Sequence, residues 1–184
     1  MKKSILCGLF LLSSTSSFAM IDQEGVIHLS GYIYSATCEL DINNQGPKDV
    51  GVNMGRYPTS SFSKIGDEVG GNGGFGQIKV SLKNCPSTGD LAVSFNGSTL
   101  AGNNEILNLD NAATGDTAQG LGIHVYSESD LNKPLNLDGS EIVKTAVSNS
   151  AEHEEGFVAR YVSTAENVVS GEANATLNFR VTYK

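Results

Sequence analysis

Histidines, cysteines and clustered carboxylates are the side chains with chemistry beyond packing, and here they are few and scattered. His28, His124 and His153 stand in separate segments, none beside a nucleophile motif that a histidine base would serve. His153 lies among Glu152, Glu154 and Glu155, a set with the right atoms to hold a cation. A metal site needs ligands converging from more than one place, and this spacing reads instead as a solvated acidic face. Gly71-Asn72-Gly73-Gly74-Phe75-Gly76 matches the G-x-G-x-x-G phosphate pattern, but it leads into a strand instead of opening a helix, so it reads as a loop. No catalytic residue, cofactor or metal ligand is expected.

The cysteines carry a different message. Lys2 and Lys3, the apolar run Ile5–Leu12 and the small-x-small step Ser17-Phe18-Ala19 form an export signal, predicted to be removed with Cys7 so that the mature chain begins at Met20. The run is too short to span a bilayer. Cys38 and Cys85 remain, and an exported chain oxidises such a pair to one disulfide. In the loop-entropy model, closing a ring of roughly 48 residues stabilises a fold by about 4 kcal/mol. Neither a Cys-x-x-Cys spacing nor further ligands suggest a redox or metal role.

Twenty acidic and 12 basic residues in 184 give a net charge of −8, with no Lys/Arg run of the kind phosphate contacts require. Nucleic acid is therefore not an expected partner. At 39% hydrophobic and 17% charged, the chain can bury one core, so one domain with appendages is expected.

The elements that would position these residues are short, with period-two alternation, separated by Gly/Asn/Ser/Asp stretches: the pattern of an all-β sandwich. The clearest strand is the last, with Ala175, Leu177, Phe179, Val181 and Tyr183 on one face and Thr176, Asn178, Arg180 and Thr182 on the other. Nothing follows it except Lys184. Earlier strands are expected at Gly31–Leu40, Val50–Met54, Ile78–Leu82, Leu91–Phe95, Leu121–Tyr126 and Phe157–Val162. Asn96-Gly97 reads as a turn, Ser60–Gly76 and Ser98–Gly120 read as loops, and Val143–Ser150 is ambiguous. Residues 20–30 alternate too, with Ile21, Gln23, Gly25, Ile27 and Leu29 against Asp22, Glu24, Val26, His28 and Ser30. This arm looks like a strand without a local partner.

Several segments, taken in order, carry a resemblance: His28-Leu29-Ser30-Gly31, Ala36-Thr37-Cys38, Val50-Gly51-Val52-Asn53-Met54-Gly55, Ile78 to Cys85, Leu135-Asn136-Leu137-Asp138-Gly139, Phe157-Val158-Ala159-Arg160-Tyr161 and Ala175 to Tyr183. Together they resemble the type 1 pilin-like fimbrial subunits of the chaperone-usher pathway. The resemblance implies an immunoglobulin-like β-sandwich that lacks its final strand (31–184), preceded by an N-terminal donor-strand extension (20–30) and a signal peptide (1–19). It implies an acceptor groove and chaperone edge at Ala175, Leu177, Phe179, Val181 and Tyr183, with Ile21, Gln23, Gly25, Ile27 and Leu29 as the donor face. The implied partners are a periplasmic chaperone, an outer-membrane usher and neighbouring subunits in a head-to-tail polymer. The implied location is a fimbria on the cell surface, supporting adhesion.

Two departures, the polar Gln23 on the donor face and the loose Gly70–Gly76 stretch, leave the arm's register open. The alternatives are a minor adaptor with direct receptor binding and a free periplasmic β-sandwich binding module. A tip adhesin fits less well, because that class carries an added lectin domain and generally lacks an arm.

Overall fold

The computed structural model describes residues 39–85, 88–111, 115–148 and 152–183. Among them are eleven strands, one three-residue 3-10 turn at Thr59–Ser61 and no α-helix, as the alternation predicts. The strands are β1 Glu39–Ile42, β2 Glu68–Val69, β3 Gln77–Lys83, β4 Thr88–Gly97, β5 Thr99–Leu100, β6 Asn103–Asn108, β7 Leu121–Ser127, β8 Asp130–Pro134, β9 Val143–Ser148, β10 Glu152–Ser163 and β11 Leu177–Tyr183.

They form two antiparallel sheets. The larger runs β1-β3-β10-β7-β6-β5, with β2 added to β10 and β8 to β7; the smaller runs β11-β4-β9. Period-two alternation explains how the sheets share a core. Val80 and Leu82 of β3, Leu91, Val93 and Phe95 of β4, Ile123 and Val125 of β7 and Phe157 of β10 are all buried. Phe95 meets Phe157 edge to face, with ring centroids 4.9 Å apart, joining one sheet to the other.

Three expectations need correction. Val50–Met54 keeps its alternation, with Val50, Val52 and Met54 half-buried and Gly51 and Asn53 exposed, but it forms no strand. Its backbone is held by a side chain: Gly51 N donates to Gln45 Oε1 and Gly51 O accepts from Gln45 Nε2. Neither long stretch read as loop is all loop: Ser60–Gly76 carries β2, which pairs β10, and Ser98–Gly120 carries β5 and β6. Asn103, Asn104 and Asn108 hide the strand signal of Ile106 and Leu107, while Asn108 Nδ2 bonds the Thr99 carbonyl across the pair. Asn96-Gly97 does not turn the chain; it stays within β4, paired with Asn178 and Leu177.

The ambiguous segment becomes β9, and β8 was missed because Leu131 is its one apolar residue outside Pro134. The G-x-G-x-x-G stretch is a loop, with Gly71, Gly73, Gly74 and Gly76 all at positive φ. Gly76 is the most constrained of these: a Cβ there would lie 2.2 Å from the Ala159 carbonyl oxygen. Its N–H donates to Asn53 O and its carbonyl accepts from Ala159 N. Gly76→Ala is expected to destabilise the fold by roughly 2–3 kcal/mol, through both the contact and the left-handed φ, as measured by chemical denaturation.

Candidate functional site

The two sheets do not close over the core everywhere. Between β11 and the extended segment 47–55 lies a groove of about 830 Å³. Val50, Val52 and Met54 form one rim, Ala175, Leu177 and Phe179 the other, and Val80, Phe95, Ile123, Val125 and Tyr161 lie along its floor. Val181 and Tyr183 are half-buried against the core, further along the same face of β11.

The β11 rim is an edge. Among the described residues β11 pairs only with β4, from Leu177 opposite Gly97 to Tyr183 opposite Leu91, so its other row of backbone groups faces the groove. Burial along the two strands shows what is missing. Leu91, Val93 and Phe95 of β4 are at most 4% exposed, whereas Leu177, Phe179 and Val181, their neighbours on the same sheet, are only half-buried. Apolar side chains and unpaired backbone side by side are what an added strand would cover.

A model of the fimbrial protein family matches residues 27–184. The chain belongs to that family. It is 33% identical to a type-1 fimbrial protein subunit of Serratia marcescens, with 100% of both chains covered. Its fold is similar to that of the P pilus rod subunit PapA, at a TM-score of 0.60 and 20% identity over 81% of this chain and 100% of PapA. It is also similar to an antigen and type I fimbria protein of Burkholderia pseudomallei, at a TM-score of 0.54 and 26% identity over 80% of this chain and 90% of that one. The fold is thus the immunoglobulin-like sandwich of fimbrial subunits, and the chain is a structural fimbrial subunit.

The expected donor residues Ile21, Gln23, Gly25, Ile27 and Leu29 lie outside the described residues, as do the signal segment, His28 and Cys38. Cys85 is disulfide-bonded. Two residues before it, Lys83 pairs with Glu39, the residue that follows Cys38. The acidic run on β10 does not converge on His153. Glu154 pairs with Lys79 at 2.7 Å, Glu152 with Lys83 at 3.4 Å, and Glu155 accepts a hydrogen bond from Thr145 Oγ1 at 2.8 Å.

One cluster escaped the sequence reading. On the outer face of the larger sheet of this fimbrial fold, Glu68 of β2 meets His124 and Tyr126 of β7 and Arg160 of β10. His124 Nδ1 is 2.6 Å from Glu68 Oε1, Tyr126 donates its hydroxyl hydrogen to the same oxygen, and Arg160 lies 3.4 Å from Oε2 and 5.0 Å from the centre of the Tyr126 ring. The i, i+2 spacing of His124 and Tyr126 put both on one strand face, but nothing local pointed to Glu68, 56 residues away.

The cluster pins the loop before β3 over the sheet, with help from Ser163, whose hydroxyl donates to Lys64 O at 2.6 Å and accepts from Asp67 N at 3.1 Å. Burial alone would raise the Glu68 pKa, but hydrogen bonds from Tyr126 and His124, the charge on His124 and Arg160 together hold it below the ordinary glutamate value. Burial first, then Glu68, pushes the Tyr126 phenol upward. Because the folded-state pKa of Glu68 is depressed, its contribution to stability is present above the unfolded value and lost as pH falls through the folded one. Glu68→Gln should therefore be less stable than wild type at pH 7, and the gap in unfolding free energy should narrow below about pH 4.3.

Proposed function

We propose that this subunit polymerises head to tail into a cell-surface fimbria, with the arm 20–30 of one copy entering the groove of the next and completing its sandwich. The observation that carries this reading is the edge of β11 that no described strand pairs, beside an apolar groove of about 830 Å³. The sequence offers a matching occupant, since residues 20–30 alternate and place Ile21, Ile27 and Leu29 on one face.

Burying each of those side chains contributes roughly 1.5–3 kcal/mol, and each new ladder hydrogen bond about 0.5–1.5 kcal/mol. Ordering the arm costs about 1–2 kcal/mol per residue, so apolar character alone is insufficient and the fit to the groove decides. The contact is heterologous, because donor and acceptor are different surfaces of the same chain, and such contacts propagate into filaments.

Before joining, an open edge of this kind invites aggregation, which supports a periplasmic chaperone as its temporary cover and an outer-membrane usher as the exit. The Cys38–Cys85 disulfide would form in the same oxidising compartment. Repetition along the filament supports adhesion, since weak contacts made many times add up to avidity. The chain's role in this reading is structural and no reaction is assigned to it.

Ile27→Asp and Leu29→Asp test the arm. Each should reduce subunit joining about tenfold or more, because a carboxylate would enter an apolar groove, while leaving chaperone co-purification intact. Normal filaments from both variants, seen by electron microscopy, would count decisively against the assignment.

A further inference from the structure

Two Asn-Gly steps occur in the sequence, Asn72-Gly73 and Asn96-Gly97, and every other asparagine precedes a residue that carries a side chain. The step matters chemically because the backbone nitrogen of the following residue can attack the asparagine side-chain carbonyl carbon. A glycine leaves that approach uncrowded and its backbone free to reach the attacking geometry.

Both asparagines are exposed, so access of water does not separate them. The freedom of the attacking nitrogen does. Gly97 N donates to Leu137 O at 2.8 Å, Asn96 stands opposite Asn178 in the pairing of β4 with β11, and Asn96 Nδ2 donates to Asp138 O at 3.2 Å. A Cβ at Gly97 would lie 2.3 Å from Leu107 Cδ1, so the backbone there has no room to swing. Asn72-Gly73 is the opposite case. Gly73 and Gly74, both at positive φ, reverse the chain so that Phe75 N donates to Asn72 O at 3.2 Å. Inside that turn neither Gly73 N nor the Asn72 side chain forms a hydrogen bond among the described residues, and a Cβ at Gly73 or Gly74 would meet nothing within 4 Å.

We propose that Asn72 is a site of spontaneous deamidation in the folded subunit and that Asn96 is protected from it. Gly73 N, losing its proton to solvent base, bonds to Asn72 Cγ. The bond from Cγ to Nδ2 breaks, and the side-chain nitrogen takes a proton from water and leaves as ammonia. The cyclic succinimide then adds water at either carbonyl and opens to aspartate or isoaspartate. Nothing is oxidised or reduced, and water is the co-reactant. The new carboxylate falls in the wall of a cavity of about 560 Å³ that Asn72 shares with Arg56, Tyr57 and Phe75. Arg56 is the charged residue of that lining, and it forms no ion pair among the described residues. In the isoaspartate product the main chain also gains a carbon inside the turn, shortly before the Gly76 N–H that bonds Asn53 O on the groove rim.

The test holds the purified subunit in mildly alkaline buffer and reads both sites by peptide mass mapping, where conversion exchanges NH for O. In the folded chain Asn72 should convert at least about tenfold faster than Asn96, a modest share of the roughly 10²-fold that misplaced attack geometry can cost. In the chain unfolded by urea the two should convert at similar rates, because each is then an Asn-Gly step in an open ensemble. Asn72→Gln should remove the fast conversion and leave the rate at Asn96 unchanged. A folded chain whose Asn72 stays intact over the time in which the unfolded chain converts it, or whose Asn96 keeps pace with Asn72, would overturn the proposal.

Discussion

A β-strand with one edge paired and the other bare has half of its backbone groups without strand partners, and among the described residues β11 is in that position along the groove. Its inner side chains are the counterpart of the same deficit. Leu177, Phe179 and Val181 continue the face that β4 buries completely, yet they stay half-buried because no described residue lies over them. Backbone pairing and apolar cover are missing together, so a single added strand would supply both.

Such an opening persists only if its walls resist collapse, and several hydrogen bonds of this fold do that. Tyr161 donates its hydroxyl hydrogen to Ala173 O at 2.8 Å, and Asp110 holds Thr176, so the chain is fixed just before β11 begins. On the opposite rim, Gln45 grips Gly51 and the Gly76 N–H reaches Asn53 O, keeping the 47–55 segment extended although no described strand pairs with it. The Phe95–Phe157 contact holds the floor, and the Glu68 cluster ties the long loop to the back of the larger sheet. The groove is therefore a built feature of the sandwich.

What could be read in the residues, and what could not, follows from range. Strands whose alternation is uninterrupted and whose inner residues are apolar, such as Leu91-Val93-Phe95 or Leu177-Phe179-Val181, were visible because period two is a local property. β6 and β8 were not, since their pairing depends on partners that cover sparse apolar residues among Asn, Glu, Asp and Lys. Val50–Met54 misled in the opposite sense: its alternation reflects a face turned to the groove, while strand formation requires a neighbour that no described strand provides. The rim residues Ala175, Leu177 and Phe179 were readable as a face, whereas the floor, drawn from β3, β4, β7 and β10, is assembled by topology. The Glu68 cluster belongs with the floor in this respect.

An open apolar edge on its own is a poor discriminator, because any alternating strand of suitable length can pair with it. Selectivity has to come from features that a generic strand lacks. The bulk of Phe179 on the rim favours a residue without a side chain at one point of an added strand. That feature costs the folded subunit little, because the aromatic ring packs on the core whether or not the groove is filled. Shape at one rim position therefore does the selecting, while Ala175 and Leu177 beside it supply apolar affinity, so the strength of the joint and the choice of its occupant rest on neighbouring residues of one strand.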